Sequence, residues 1–237
     1  MNVAVIPARG GSKRIPKKNI KLFHGKPIIQ YSIEAAMQSG LFDSIIVSTD
    51  CDEIAEVAEK VGAKVPFKRP ASLSDDYVGT QAVVAHAAKW CREALPDTQN
   101  ICCIYPTAPL LLPSFLKESF ELLEKEKSDF VFSVTTFPFP PQRGLLMDQN
   151  GFVSARESQF IYSRSQDLDE CFHDAGQFYF SRAESVRRGS LLTNSKVKLQ
   201  MLHRNSVIDI DTLEDFEIAE EKLSMRKKNS IDKNWMF

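Results

Sequence analysis

Between Arg9 and Lys18 the chain places five cations in ten residues, Arg9, Lys13, Arg14, Lys17 and Lys18, around the pair Gly10 and Gly11. Charge at that density attracts an anion, and glycines let backbone N–H groups approach a phosphate closely. Neither common nucleotide motif is present: Ser12 precedes Lys13 without Walker spacing, and G-x-G-x-x-G is missing. On these residues alone, a solvated basic loop between a strand and a helix remains open. Near the other end, Asp209 and Asp211 alternate in a segment with strand-like pattern. Both carboxylates would then project to one face, about 7 Å apart, where they could hold one Mg²⁺ with phosphate oxygens completing the shell. The same pair, just ahead of Thr212 and Leu213, could instead cap a helix, and the two roles could coexist.

These residues need elements to position them. Val3 to Ile6 read as a buried parallel strand that Pro7 ends, because proline has no N–H for the ladder. Pro27 opens a helix with Ile28, Ile29, Ser32, Ile33 and Ala36 on one face, stopped at Gly40. A strand over Ile45–Ser48, a helix over about Asp52–Val61 ending at Gly62, and a short strand over about Lys64–Phe67 complete a βαβαβ unit. Helices at about Thr80–Ala94 and Ser114–Glu126 alternate with strands Ile101–Tyr105 and Phe130–Val134. The expected fold class is therefore α/β, a mostly parallel sheet flanked by helices, with ligands collecting beyond the carboxyl ends of the strands. That rule gathers Arg9, Asp50 and Thr107 into one crevice.

The alternation breaks between Phe137 and Glu170, where Pro138, Pro140, Pro141, Gly144 and Gly151 mark an insertion suited to contacts between subunits. Strands at about Gln177–Ser181 and Leu199–His203 and a helix at about Thr212–Ser224 close a single domain over residues 1–224. Met225 to Phe237 read as a polar tail.

With 237 residues, 43% of them hydrophobic, the chain can bury a sizeable single core. A net charge of -1 argues against nucleic acid as the partner, so the anion sought by the basic loop is a small molecule. The absence of a long apolar run and of a signal-peptide pattern makes the cytoplasm the expected location, with no membrane partner. Cys51, Cys91, Cys102, Cys103 and Cys171 show no C-x-x-C pair and read as reduced thiols, mostly in the core.

Five ordered segments, IPARGGSKRIPKKN at 6–19, VSTD at 47–50, RPASLSDD at 69–76, YPTAPL at 105–110 and IDID at 208–211, resemble the cytidylyltransferases that activate nine-carbon 2-keto sugar acids, the CMP-sialic acid synthetases and their relatives. The resemblance implies a Rossmann-like nucleotide-diphospho-sugar transferase fold, CTP and a sugar acid as substrates, a homodimer and a Mg²⁺ ion. It assigns Arg9, Gly10, Ser12, Lys18 and Asn19 to the nucleotide loop, with Arg9 and Lys18 as the catalytic cations. It matches Arg69 and Thr80 to contacts with cytosine and ribose, although Arg69 read alone could be a surface ion pair. It also favours the metal role for Asp209 and Asp211. The implied chemistry is attack of the sugar's anomeric hydroxyl on the α-phosphorus of CTP, releasing pyrophosphate without a covalent protein intermediate.

The chain departs from the sialic acid pattern in its fourth segment. Where those enzymes read like QPTSPLR, this one has YPTAPLL, with Tyr105 at the glutamine position and Leu111 at the arginine position. Replacing a polar partner by a ring disfavours a hydroxyl-rich ligand, so the sugar should be less polar. Together with FHDAGQFYF at 172–180, this resembles the pseudaminic acid branch of the family, whose sugar lacks the 9-hydroxyl and carries two acylated amines. Tyr105 and Thr107 are then expected at the sugar. His173 could meet the sugar carboxylate or be a satisfied core histidine. Gln177 could reach an acyl amide or simply pack. The rivals are a sialic or legionaminic acid enzyme and, in another class, a non-catalytic nucleotide-binding module.

Overall fold

The computed structural model describes residues 1–188 and 195–233. Its central sheet has six strands: β1 (Asn2–Pro7), β2 (Ser44–Ser48), β3 (Asn100–Ile104), β4 (Phe130–Thr136), β5 (Phe172–Arg182) and β6 (Val197–Met201), in the order β6-β4-β5-β3-β1-β2. β1 pairs in parallel with β2 and β3, and β6 with β4; β5 runs antiparallel between β3 and β4. Among the described residues six α-helices accompany it: α1 (Ile28–Ser39), α2 (Asp52–Val61), α3 (Thr80–Ala94), α4 (Pro113–Lys125), α5 (Ala183–Arg188) and α6 (Leu213–Lys233).

Alternation along β1 explains the layers. Ala4 and Ile6 face a core built with Ile29 and Ile33 of α1, Ile54 and Ala58 of α2, and Leu116 and Leu123 of α4. Val3 and Val5 face the opposite side, against Val84, Ala87 and Cys91 of α3 and Val186 of α5. A strand buried on both faces must be apolar throughout, which is why the run could be read from sequence. A third cluster joins Ile15 and Phe23 of the amino-terminal loop to Ile210 and to Phe216 and Ala219 of α6. This cluster sets the D-x-D segment opposite the basic loop.

Several expectations are corrected. The segment Lys64–Phe67 forms only isolated bridges, Ile46 to Lys64 and Thr49 to Lys68, because Pro66 lacks the donor that a ladder needs. The strand expected at Gln177–Ser181 begins earlier, at Phe172, and is the antiparallel member of the sheet. No strand forms over Asp209–Asp211. The last helix does not stop at Ser224 but continues to Lys233, through residues read as a tail. Between β4 and β5 lies a hairpin of Leu145–Met147 and Val153–Ala155 with short helical turns around it. Among the described residues, no helix is long and apolar enough to cross a membrane.

Candidate active site

The loop after β1 and the loop before α3 face each other across a crevice of about 440 Å³. Arg9, Ser12, Lys18, Asn19, Arg69 and Thr80 all line it, with Tyr105 and Thr107 at the end of β3. Lys13 and Arg14 line it as well. Lys17 does not, because its left-handed backbone (φ 52°) turns the side chain to Glu53 at the start of α2, 2.6 Å away. Gly10 also differs from expectation. Its N–H donates to Asp50 Oδ1 at 2.9 Å, and a Cβ at this position would fall 2.8 Å from Cys51 Cβ. Close packing against the β2–α2 loop requires glycine there.

Each remaining residue is held by a specific contact. Asn19, buried, donates from Nδ2 to the Arg9 carbonyl at 2.9 Å and so fixes the loop's curvature. Lys18 donates to the Ile210 carbonyl at 2.5 Å and lies 3.5 Å from Asp211 Oδ1, tying the basic loop to the D-x-D segment. Arg69 is 5% exposed and is no surface ion pair: its Nε donates to Ser48 Oγ at 3.2 Å and its Nη2 to the Ser48 carbonyl. Burial pushes its pKa down, with the Asp50 carboxylate working the other way. Thr80 opens α3 without a cap bond from its neighbour Gly79, and its hydroxyl lies 3.4 Å from the Tyr105 hydroxyl.

Tyr105 separates this crevice from an apolar cleft of about 190 Å³ whose walls include Val84, Cys103, Phe130 and Tyr179. Tyr179 donates to Asp174 Oδ2 at 2.5 Å, and burial first, then its neighbours Tyr105 and Asp174, keep its phenol protonated well beyond the ordinary range. His173 and Gln177 stand apart from both spaces. His173 rests on the Phe137 ring, its Nδ1 2.9 Å from the Asp174 carbonyl oxygen. Gln177 is buried and donates to the Ser206 carbonyl at 2.5 Å, anchoring the turn before the D-x-D segment. Leu111 is part of the main core, so the residue at the arginine position does not face the crevice.

The carboxylates of Asp209 and Asp211 can be tested as a cation site. The capping role falls to Thr212, whose hydroxyl accepts the Asp215 N–H at 3.2 Å while Asp215 accepts the Thr212 N–H at 2.8 Å. Asp211 is thereby left to pair with Arg14 at 2.8 Å and with Lys18. Asp209 lies against Gly176, where a Cβ would come within 3.7 Å of its Cγ. Its pKa is raised by desolvation first and then by the neighbouring Asp211 carboxylate, with the Lys18 ammonium working the other way. Among the described residues no cluster of three metal-ligating side chains exists. Two carboxylates match in number the one or two that Mg²⁺ takes when substrate phosphates and water complete its shell. Asp76, which lines the crevice, and Tyr179, which lines the cleft and is held by Asp174, are groups to which sequence reasoning gave no task. Asp76 stood inside a quoted segment, but nothing in its spacing showed that it would cross to Arg9.

A crevice at the carboxyl ends of parallel strands, lined by Arg9, Lys13, Arg14, Lys18 and Arg69, defines a nucleotide-handling protein of the α/β class. The chain belongs to the cytidylyltransferase family, whose pattern it matches over residues 3–221, and it is a nucleotidyltransferase. It is 44% identical over 218 residues to a pseudaminic acid cytidylyltransferase of Campylobacter jejuni, covering 92% of this chain and 94% of the relative. It is 30% identical to a CMP-N,N'-diacetyllegionaminic acid synthase of Legionella pneumophila, covering 95% and 97% of the two chains. Among solved structures, a CMP:2-keto-3-deoxy-manno-octonic acid synthetase complexed with CTP superposes with a TM-score of 0.70 over 95% of this chain and 99% of the other, at 16% identity. That last likeness bears on the fold.

Proposed function

We propose that the chain activates pseudaminic acid, a nine-carbon 2-keto sugar acid, with CTP, giving the CMP-sugar and pyrophosphate. The observation that carries this reading is the junction at Tyr105, where a cation-lined crevice opens beside an apolar cleft. A nucleotide triphosphate suits the first, and a deoxygenated, acylated sugar suits the neighbourhood of the second. Identity of 44% over nearly the whole chain to a pseudaminic acid cytidylyltransferase supports the same choice.

In this reading Arg69 and Thr80 hold cytosine and ribose, while Arg9, Ser12, Lys18 and Asn19 frame the triphosphate. The sugar's anomeric oxygen forms a bond to the α-phosphorus, the α–β bridging bond breaks, and the hydroxyl proton passes to solvent. Lys18, braced against the Ile210 carbonyl, stabilises charge that grows on the phosphate oxygens as the bond breaks. Asp209 and Asp211 would hold Mg²⁺, which when bound neutralises triphosphate charge. Five free cysteines suit a reducing compartment, and we assign the enzyme to the cytoplasm. We also infer a homodimer: Leu146, Met147, Phe152 and Val153 of the insertion hairpin are each at least 56% exposed, and an apolar group of that kind is ordinarily covered by a partner.

The test is pyrophosphate release with CTP and Mg²⁺, offering pseudaminic acid and N-acetylneuraminic acid in parallel. Release with pseudaminic acid and little with the other is expected. Equal turnover would overturn the argument from Tyr105, and CTP binding without release on any keto acid would make the chain a nucleotide-binding module.

A further inference from the structure

Two of the crevice cations share an anion that itself lines the crevice. Arg9 Nη1 donates to Asp76 Oδ1 at 2.6 Å and to the Asp75 carbonyl at 3.0 Å, and Lys13 Nζ lies 2.5 Å from Asp76 Oδ2. One carboxylate thus bridges both cations through its two oxygens, from inside the crevice that it lines. Lys13 and then Arg9 hold that carboxyl below the usual aspartate range, so it is ionised at neutral pH.

Asp76 sits on the turn between the Ala71–Leu73 helical turn and α3. The turn is shaped by its own Asp75, whose Oδ1 accepts the N–H groups of Tyr77 and Val78, both at 2.9 Å. Tyr77 is 96% exposed, so its ring does not pin the turn to the body of the protein. The turn is tied to the crevice by the pair of ionic contacts, by the Asp75 carbonyl and by Val78, which also lines it.

A carboxylate and a phosphate present similar oxygens to a guanidinium or an ammonium, and both carry negative charge. They cannot share the same two cations without repelling each other. We infer that Asp76 is a competing anion in the reaction cycle: it holds Arg9 and Lys13 between turnovers, yields them to the triphosphate, and reclaims them as pyrophosphate leaves. This rests on the reading of the basic loop as the triphosphate site. Exposed ion pairs are individually weak, so a polyanion can displace the carboxylate, yet two together keep the cations aimed into the crevice. Lys18 takes no part in the exchange, because its partners are the Ile210 carbonyl and Asp211.

The experiment is titration of inorganic pyrophosphate into the full chain, wild type against Asp76→Asn, by calorimetry, alongside the KM for CTP and product inhibition by pyrophosphate. Neutralising Asp76 should tighten pyrophosphate binding and lower the CTP KM about threefold to tenfold. Product inhibition should deepen by the same factor, and the difference should shrink as added salt screens the charges. Should the Asn variant fold poorly, Asp76→Ser removes the same charge and should shift binding the same way. Unchanged or weaker pyrophosphate binding in a folded variant would overturn the inference. Arg9→Gln and Lys13→Gln separate the two layers of the argument. If they bind pyrophosphate as tightly as the wild type, the triphosphate reading fails and the competition falls with it; if they weaken binding while Asp76→Asn fails to tighten it, the competition alone is wrong.

Discussion

Asp211 and Thr212 stand side by side and divide two tasks that the sequence left joined. Thr212 and Asp215 form the reciprocal cap of α6, which leaves the Asp211 carboxylate facing Arg14 and Lys18. Asp211→Ala should therefore lower pyrophosphate release by about a hundredfold or more while changing unfolding free energy by no more than about 0.5 kcal/mol. Thr212→Ala should do the reverse, losing about 1 kcal/mol of stability with turnover largely kept. Parallel rate assays and urea melts check the pair, and an Asp211 variant that melts early with its turnover intact would return the cap to Asp211. The basic loop was legible because clustered charge is a local signal, whereas Arg69 and Thr80 were placed at the crevice only through the resemblance of their segments. Gly10 was not legible, since its reason lies across the fold at Cys51. Nor was the fate of His173 and Gln177, which depends on the rings and carbonyls that a strand happens to meet.

At the scale of elements, periodicity served best where one element buries one clear face. α2 and α3 begin and end where the apolar pattern and its punctuation put them. It failed where pairing decides: Pro66 denies a ladder to Lys64–Phe67, and β5 runs against its neighbours, which side-chain alternation cannot reveal. The same layering sets thiol chemistry. Cys102 and Cys103 on β3 face opposite cores, and Cys91 lies on the buried face of α3. Burial pushes the Cys91 thiol up to about 11 and Cys103 up to about 12, with Cys102 also well above the ordinary value. Alkylation needs the thiolate, so raising these pKa values suppresses it. Brief iodoacetamide treatment of the folded chain at about pH 8 should mark Cys51 and Cys171 and spare the other three. Peptide mass spectrometry before and after denaturation reads the outcome, and early modification of Cys103 would show that β3 opens readily.

Among the described residues the six-stranded sheet organises the core, and the Leu145–Met147 and Val153–Ala155 hairpin lies outside that core. If that hairpin joins two subunits, Met147→Asp combined with Phe152→Asp should convert a dimer to a monomer by light scattering, with the melting of the main domain little changed. A wild-type chain that is monomeric at micromolar concentration would remove the proposal. The proline-rich composition announced the insertion, but where its apolar residues would point required the fold. The place of β5 has a consequence for how the chain is made. On a ribosome, β1, β2 and β3 emerge first, and the open edge of β3 must wait for a strand that begins only at Phe172. At roughly 5–20 residues per second this wait lasts several seconds, during which a buried-type strand edge stands unpaired. The nascent chain is thus most exposed to misassembly before the antiparallel strand arrives, although the loops that line the crevice, all within residues 7–107, are already made.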